Sequence, residues 1–270
     1  MKMVHLDINC DVGEGLVDES PLYPYISSCS IATGGHAGDA NSMKQAMLLA
    51  RSHNVRIGAH PSYPDKANFG RKSMNIALVR LEQSLEKQLL EFKALASQLN
   101  LNVHHIKPHG ALYNELVHDA EKARMMVAVI QKTQLCDTVY MPHNAVIGDI
   151  SLSNGLKVIY EAFGDRAYDA QGRLVNRSIE NAVIVDPKKV LEQVVEIAKK
   201  GMIRTTSGQR RKMVAETICI HSDTPKALEI LMYLKQQLIK HGKSPTQRIH
   251  FPSKFLDMAK RQFCCNGRKK

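Results

Sequence analysis

Short apolar runs alternate along the chain with longer segments whose apolar positions step by three or four. The short runs lie at residues 4–9, 30–32, 55–59, 103–106, 138–141, 158–160 and 217–220. Each is the length of a strand and too short for a helix. The clearest helical stripe is Leu78, Leu81, Leu85, Leu89, Phe92, Leu95 and Leu99, with Glu and Lys between them. Similar spacing predicts helices from about Asn41, over 119–132, over 187–200 and over 225–241, with a turn or two at 143–150 and a last short helix at 252–262. Asp186-Pro187 and Thr224-Pro225 each place a capping side chain before a proline suited to the first helical position. Residues 168–174 carry turn chemistry and predict a hairpin-like excursion, and 201–215 predict a second one. Strand, turn and helix in repetition predict parallel strands with helical crossovers, closed into one barrel over residues 1–263, with a short basic tail at 264–270.

Each apolar run ends in polar residues. Residues 104–114 show the pattern best: a strand ends at Pro108, which cannot donate to a ladder, with Lys107 and His109 on either side and Gly110 allowing close approach. In a parallel barrel such strand ends converge on one face, where active sites are built. The face collects Asp7, Asn9, Asp11, Glu14, His36, Asp39, His60, Lys107, His109, His143, Glu161, Asp165, Arg166, His221 and Asp223. Asp7, Asn9 and Asp11 alternate and so share one face of an extended segment. The long loop 61–74 is a candidate lid or substrate clamp, and its Arg71 suits a carboxylate. Any one of these residues is compatible with a structural polar group; the set argues for chemistry.

Composition narrows the partners. Among 270 residues, 44% are hydrophobic and 23% charged, ordinary for a globular chain. The net charge of +11 is dispersed, Trp is absent and aromatics are 5%, so a nucleic-acid surface is not expected. No apolar run is long enough to span a bilayer and no leader pattern opens the chain, which predicts a cytoplasmic protein. The 6 cysteines show no spaced framework, so reduced thiols are expected. The start Asp7-x-Asn9-x-Asp11 fails as a calcium loop, because residue 18 is Asp rather than Glu. The Gly-rich stretch 30–40 lacks the Gly-Lys-Ser/Thr of a nucleotide loop. No His-x-x-x-His, His-Glu-x-x-His or Cys-x-x-Cys spacing is present, and no tightly bound metal is expected. Three readings remain at this level: metal-assisted hydrolysis, metal-free acid–base chemistry in which Lys107 or Arg166 holds an oxyanion or carboxylate, and non-catalytic binding of a small anion.

Asp7-Ile8-Asn9-Cys10-Asp11-Val12-Gly13-Glu14-Gly15, His36-Ala37-Gly38-Asp39, Gly58-Ala59-His60-Pro61, Phe69-Gly70-Arg71, the run 107–114 and the run 161–169 together resemble the LamB/YcsF family over roughly residues 4–240. The resemblance implies a distorted seven-stranded, TIM-like α/β barrel related to polysaccharide deacetylases and certain glycosidases. It also implies opening of the lactam 5-oxo-L-proline to L-glutamate with ATP, as the A component beside B and C subunits. On this reading Asp7, Asp11, His36, Asp39, His60, Lys107, His109, Glu161 and Asp165 form the catalytic set. Asn9, Glu14, Arg71, Arg166, His221 and Asp223 would bind substrate, and ATP would act through the complex. The chain departs from the family's usual pattern at Ser30, Thr33 and Ser222, where Asn, Cys and Gly are customary. A metal-dependent, deacetylase-like amidohydrolase is the alternative enzyme.

Overall fold

The computed structural model describes residues 3–15, 18–240 and 249–252. Seven parallel strands close a barrel: β1 (Met3–Val12), β2 (Ser28–Ala32), β3 (Arg56–His60), β4 (Val103–Ile106), β5 (Thr138–Met141), β6 (Lys157–Phe163) and β9 (Thr217–Cys219). β9 pairs with both β6 and β1, which completes the ring. Outside it, β7 (Met202–Arg204) and β8 (Arg210–Lys212) form an antiparallel hairpin, and β10 (Ile249–Pro252) pairs antiparallel with the first residues of β1.

The crossovers carry α1 (Ala40–Ser52), α2 (Leu78–Gln98), α3 (Gly110–Glu115), α4 (Ala120–Thr133), α5 (Val146–Ser153), α6 (Pro187–Lys200) and α7 (Ala227–Lys240). Alternate strand residues face them. Ile8, Cys10 and Val12 of β1, Ile57 and Ala59 of β3, and Val139 and Met141 of β5 join Leu81, Leu85, Leu89 and Phe92 of α2 in one buried apolar core. The other alternate set points into the barrel. In most barrels of this kind branched aliphatic side chains fill that space. Here it holds Asp7, Asn9, Asp11, Ser28, Ser30, His105, Lys107, Tyr140, Glu161 and Thr217, bonded to one another.

The predicted helices 119–132 and 187–200 are present, the first displaced by one residue. The excursions at 168–174 and 201–215 are a turn closed by a Tyr168–Leu174 bridge and the β7–β8 hairpin. α7 starts at Ala227, two residues later than its cap-plus-proline signal predicts. The Thr224 hydroxyl is spent on Asp165 instead. α5 also starts three residues late. Three elements escape the pattern: α3, a 3-10 turn at Ser20–Tyr25, and β10. The helix expected at 252–262 falls outside the described residues beyond Pro252, which ends β10, and the tail at 264–270 falls wholly outside them.

Gly58 sets the width of the interior. A Cβ there would collide with the His105 ring, which stacks on Tyr140 of the neighbouring β5 with centroids 3.8 Å apart. Gly58→Ala should therefore destabilise the fold by about 1–3 kcal/mol through overpacking. Urea unfolding of the variant would check this, and an unchanged midpoint would refute it.

Candidate active site

Lys107 stands at the end of β4, where Pro108 stops the strand, and its side chain reaches across the barrel. Its Nζ lies 2.9 Å from Asp11 Oδ1 on β1 and 2.9 Å from Glu161 Oε1 on β6. It also donates to Asn9 Oδ1 at 3.3 Å and contacts Cys219 Sγ at 3.2 Å. An ammonium has three protons, so its donors are consumed within the barrel rather than open to a ligand oxygen. Burial works against the charge, but Asp11 and Glu161 overcome it and hold the Lys107 pKa well above its usual value. The Asp11 carboxyl is likewise buried, and His60 and Lys107 keep it well below the usual carboxylate range. Glu161 accepts from Asn9 at 2.9 Å and from the Tyr113 hydroxyl at 2.9 Å. Lys107 thus positions and ionises Asp11 at the top of the interior.

Beside it lies a second group. His60 Nε2 is 3.4 Å from Asp11 Oδ2 and 3.0 Å from His109 Nδ1. Glu14 Oε1 is 3.0 Å from His36 Nε2 and 3.5 Å from His109 Nδ1. The His36 and His109 rings stack in parallel with centroids 3.6 Å apart. Burial pushes the His36 pKa down to about 2 and that of His109 well below its usual value. Burial, with the Asp11 charge, pushes Glu14 up to about 7. Glu19, unmarked in the sequence, clamps the turn that presents Glu14 by accepting from the backbone N–H groups of Gly13 and Glu14. The 61–74 loop roofs the group. The His109 ring donates to Phe69 O at 2.9 Å, and Gly110, at φ +57, lies where a Cβ would also press on Gly70 O.

The third part is the rim. Asp165 accepts from the His221 backbone at 2.9 Å, from the His221 ring at 3.0 Å and from Thr224. Burial opposes its ionisation, yet His221 and Thr224 lower its pKa to about 2. His221 completes a contact set with Asp11 and Cys219, their polar atoms lying within 4.8 Å of one another. Above, Asp223 is shared by Arg71 and Arg177, the latter at 3.0 Å. Arg166 donates to Val175 O at 2.6 Å and leaves a buried Nε unpartnered. Its pKa falls to about 10 through burial and the nearby Arg177 charge.

The structure therefore brings together Asn9, Asp11, Glu14, His36, His60, Lys107, His109, Glu161, Asp165, Arg166, His221, Asp223 and Arg71. It separates three others. Asp7 lies four residues before Asp11, about 13 Å down the strand at the usual rise. There it pairs with Arg56 at 2.9 Å and with Ser28 at the start of the strands, at the opposite end of the barrel. Asp39 is exposed and caps α1, accepting from Asn41 and Ser42 N–H at 2.9 Å. His143 packs against Tyr160. Of the departures, Ser30 bonds His105 inside the barrel at 3.2 Å, Thr33 donates to Gln88 at 2.8 Å beneath the 61–74 loop, and Ser222 is buried. Sequence reasoning does not single out Arg177 or Gln88. Gln88 stands in the apolar stripe of α2, and a polar residue there is the available signal.

Two outcomes test this arrangement. Lys107→Met leaves two carboxylates buried without their cation and should cost about 3–5 kcal/mol in urea unfolding. Adding Glu161→Gln should recover part of it, and failure of both effects would remove Lys107 from its central role. Asp165 has a folded pKa of about 2, below its unfolded value near ~3.9. Its contribution is present above pH ~4 and is lost as pH falls through about 2. Asp165→Asn should flatten the acid limb of stability over that window, and an unchanged limb would contradict it.

The LamB/YcsF family model matches residues 6–250. A protein of Pyrococcus horikoshii named as the A subunit of 5-oxoprolinase is 36% identical over 245 residues, covering 88% of this chain and 96% of that protein. The protein of the same name from Streptomyces avermitilis is 37% identical over 246 residues, covering 88% and 97%. The crystal structure of the "Lactam Utilization Protein" from Thermus thermophilus superposes with a TM-score of 0.82 at 30% identity, covering 90% of this chain and 98% of that one. With the family match spanning nearly the whole described barrel, the chain belongs to the LamB/YcsF family.

Proposed function

We propose that this chain is the A component of a 5-oxoprolinase, a cyclic-amide hydrolase that opens 5-oxo-L-proline to L-glutamate at the barrel mouth. The observation that carries the reading is the charge arrangement there. Arg71, Arg166 and Arg177 gather at the rim with Asp223 bridging two of them, above the buried Asp11, His60 and His109. An anionic substrate is drawn to such a rim. The arginines hold the carboxylate of 5-oxoproline, which leaves its lactam facing inward.

Opening the ring adds the oxygen of water to the carbonyl carbon, breaks the C–N bond and delivers a proton to the ring nitrogen. Asp11, kept ionised by Lys107, takes the proton from water and passes it to the leaving nitrogen. A five-membered lactam is a poor substrate without activation. Transfer of a phosphoryl group from ATP to the carbonyl oxygen activates the carbon: addition of water and cleavage of the C–N bond then leave an acyl phosphate, and a second water releases phosphate and gives the carboxylate of glutamate. This chain has no nucleotide loop of the Gly-x-x-x-x-Gly-Lys-Ser/Thr kind. We therefore assign activation to the B and C subunits and ring opening to this barrel, with ATP acting through the complex. A cytoplasmic setting is supported by the four described cysteines, all of them free thiols. No described helix is long and apolar enough to cross a membrane.

The test is glutamate release from 5-oxoproline and ATP by the purified chain, alone and with B and C subunits. Release is expected only in the mixture. Robust release by the chain alone, or none with the partners added, would overturn the assignment.

A further inference from the structure

We propose that Glu14, His36, His60 and His109 form a binding site for one divalent transition-metal ion of the zinc type. Proton positions in the group are set by its surroundings. A carbonyl oxygen can only accept, so the ring nitrogen facing it must carry the hydrogen. His60 Nδ1 lies 2.6 Å from Lys107 O, and His109 Nε2 lies 2.9 Å from Phe69 O. Both tautomers are thereby fixed. The remaining nitrogens, His60 Nε2 and His109 Nδ1, turn lone pairs toward each other at 3.0 Å. Two lone pairs at that distance repel unless an electrophile lies between them.

Two more donors crowd the same point. Glu14 Oε1 is 3.5 Å from His109 Nδ1, and His36 Nε2 is 3.0 Å from Glu14 Oε1. All four ligand atoms lie within 4.8 Å of one another, and all four residues are buried. The parallel stacking of His36 on His109 suits two neutral rings better than two charged ones. His36 Nδ1 is a buried atom with no partner, so this ring is free to present either nitrogen. The neighbouring ammonium of Lys107 does not relieve the group, because its protons go to Asp11, Glu161 and Asn9.

The spacing fits a metal. Bonds of about 2.0–2.1 Å in a tetrahedral site put ligand atoms about 3.3 Å apart. Three of the six separations, 3.0, 3.0 and 3.5 Å, bracket that value, and all six lie within 4.8 Å. Three imidazoles and one carboxylate favour zinc, cobalt or nickel over magnesium or calcium, which prefer oxygen alone. Holding a ligating imidazole through its other N–H to a backbone carbonyl is the usual support of a metal site, and His60 and His109 both have it. The four residues come from the ends of β1 and β3 and the loops after β2 and β4. No local spacing announces them, which is why the sequence predicts no metal.

The inference stands on these contacts and not on the lactam reading, since its readout is metal content rather than turnover. The chain is stripped with chelator, dialysed, and titrated with ZnCl2 by calorimetry, with elemental analysis of the product. CoCl2 is added in parallel and its visible absorption recorded. One equivalent of zinc per chain is expected, with cobalt bands of nitrogen–oxygen ligation. His109→Ala and the near-isosteric Glu14→Gln should each weaken binding on the order of 100-fold or more. His143→Ala, outside the group, should bind as the parent does. Circular dichroism checks that each variant is folded, and Glu14→Gln carries the comparison should His109→Ala not fold. Absence of saturable zinc binding by the parent chain, the result expected if a proton alone bridges the two imidazoles, would overturn the proposal. Undiminished binding in folded Glu14→Gln would overturn it equally.

Discussion

A single ammonium buried between two carboxylates is the constraint on which this barrel rests. Lys107 joins β4 to Asp11 on β1 and Glu161 on β6, so it ties strands that are not neighbours in the ring. Removing charge from water is costly, and a buried ion pair of this kind does not by itself make a fold more stable than an apolar core would be. What it provides is placement. The pair holds Asp11 ionised and fixed at the mouth, and Asn9 and Tyr113 donate to the Glu161 oxygens, with Thr217 accepting from Asn9 in turn. An aliphatic interior would pack as well and carry no charge to the mouth.

The elements are legible because the strands and helices of a barrel differ in period. Apolar runs of three to six residues differ in length and spacing from stripes that step by three or four over several turns. The site is legible only as a set of strand ends, and its errors have one physical origin. Asp7 and Asp11 share a face of β1, and the alternation shows that correctly. Sharing a face says nothing about sharing an end: Asp7 stands opposite Thr217, the first residue of β9, and so lies at the lower end of the barrel. Asp39 reads as chemistry in the sequence, although Asp39 and Ser42 carry the makings of a capping box, which the structure confirms. Arg177 and Glu19 act through contacts far along the chain or in an unpatterned turn, and periodicity has no access to either.

Loops decide what the barrel can admit. The 61–74 loop is fastened at several points, with Tyr63 and Ser73 donating to Glu115, which also pairs with Lys122 at 2.6 Å. Two residues before Ser73, Arg71 reaches the far side of the mouth at Asp223. The sequence marks this loop as a lid or clamp. Its attachments are to α3 and to the loop after β9, so it spans the opening rather than hanging beside it.

This span separates two electrostatic regions. Below the loop, Lys107 faces Asp11 and Glu161, with Glu14 nearby, and the interior favours cations and protons. At the rim, Arg71, Arg166 and Arg177 outnumber Asp223 once Asp165 is engaged by His221 and Thr224. A small molecule with an anionic end and a neutral, polar end has one orientation that satisfies both regions. Its charge stays among the guanidinium groups and its neutral end points toward Asp11, His60 and His109. Orientation of this kind supplies much of what a catalytic site must provide before any bond is broken. In this chain it follows from the order of charges along the barrel axis, which the polar filling of the interior makes possible.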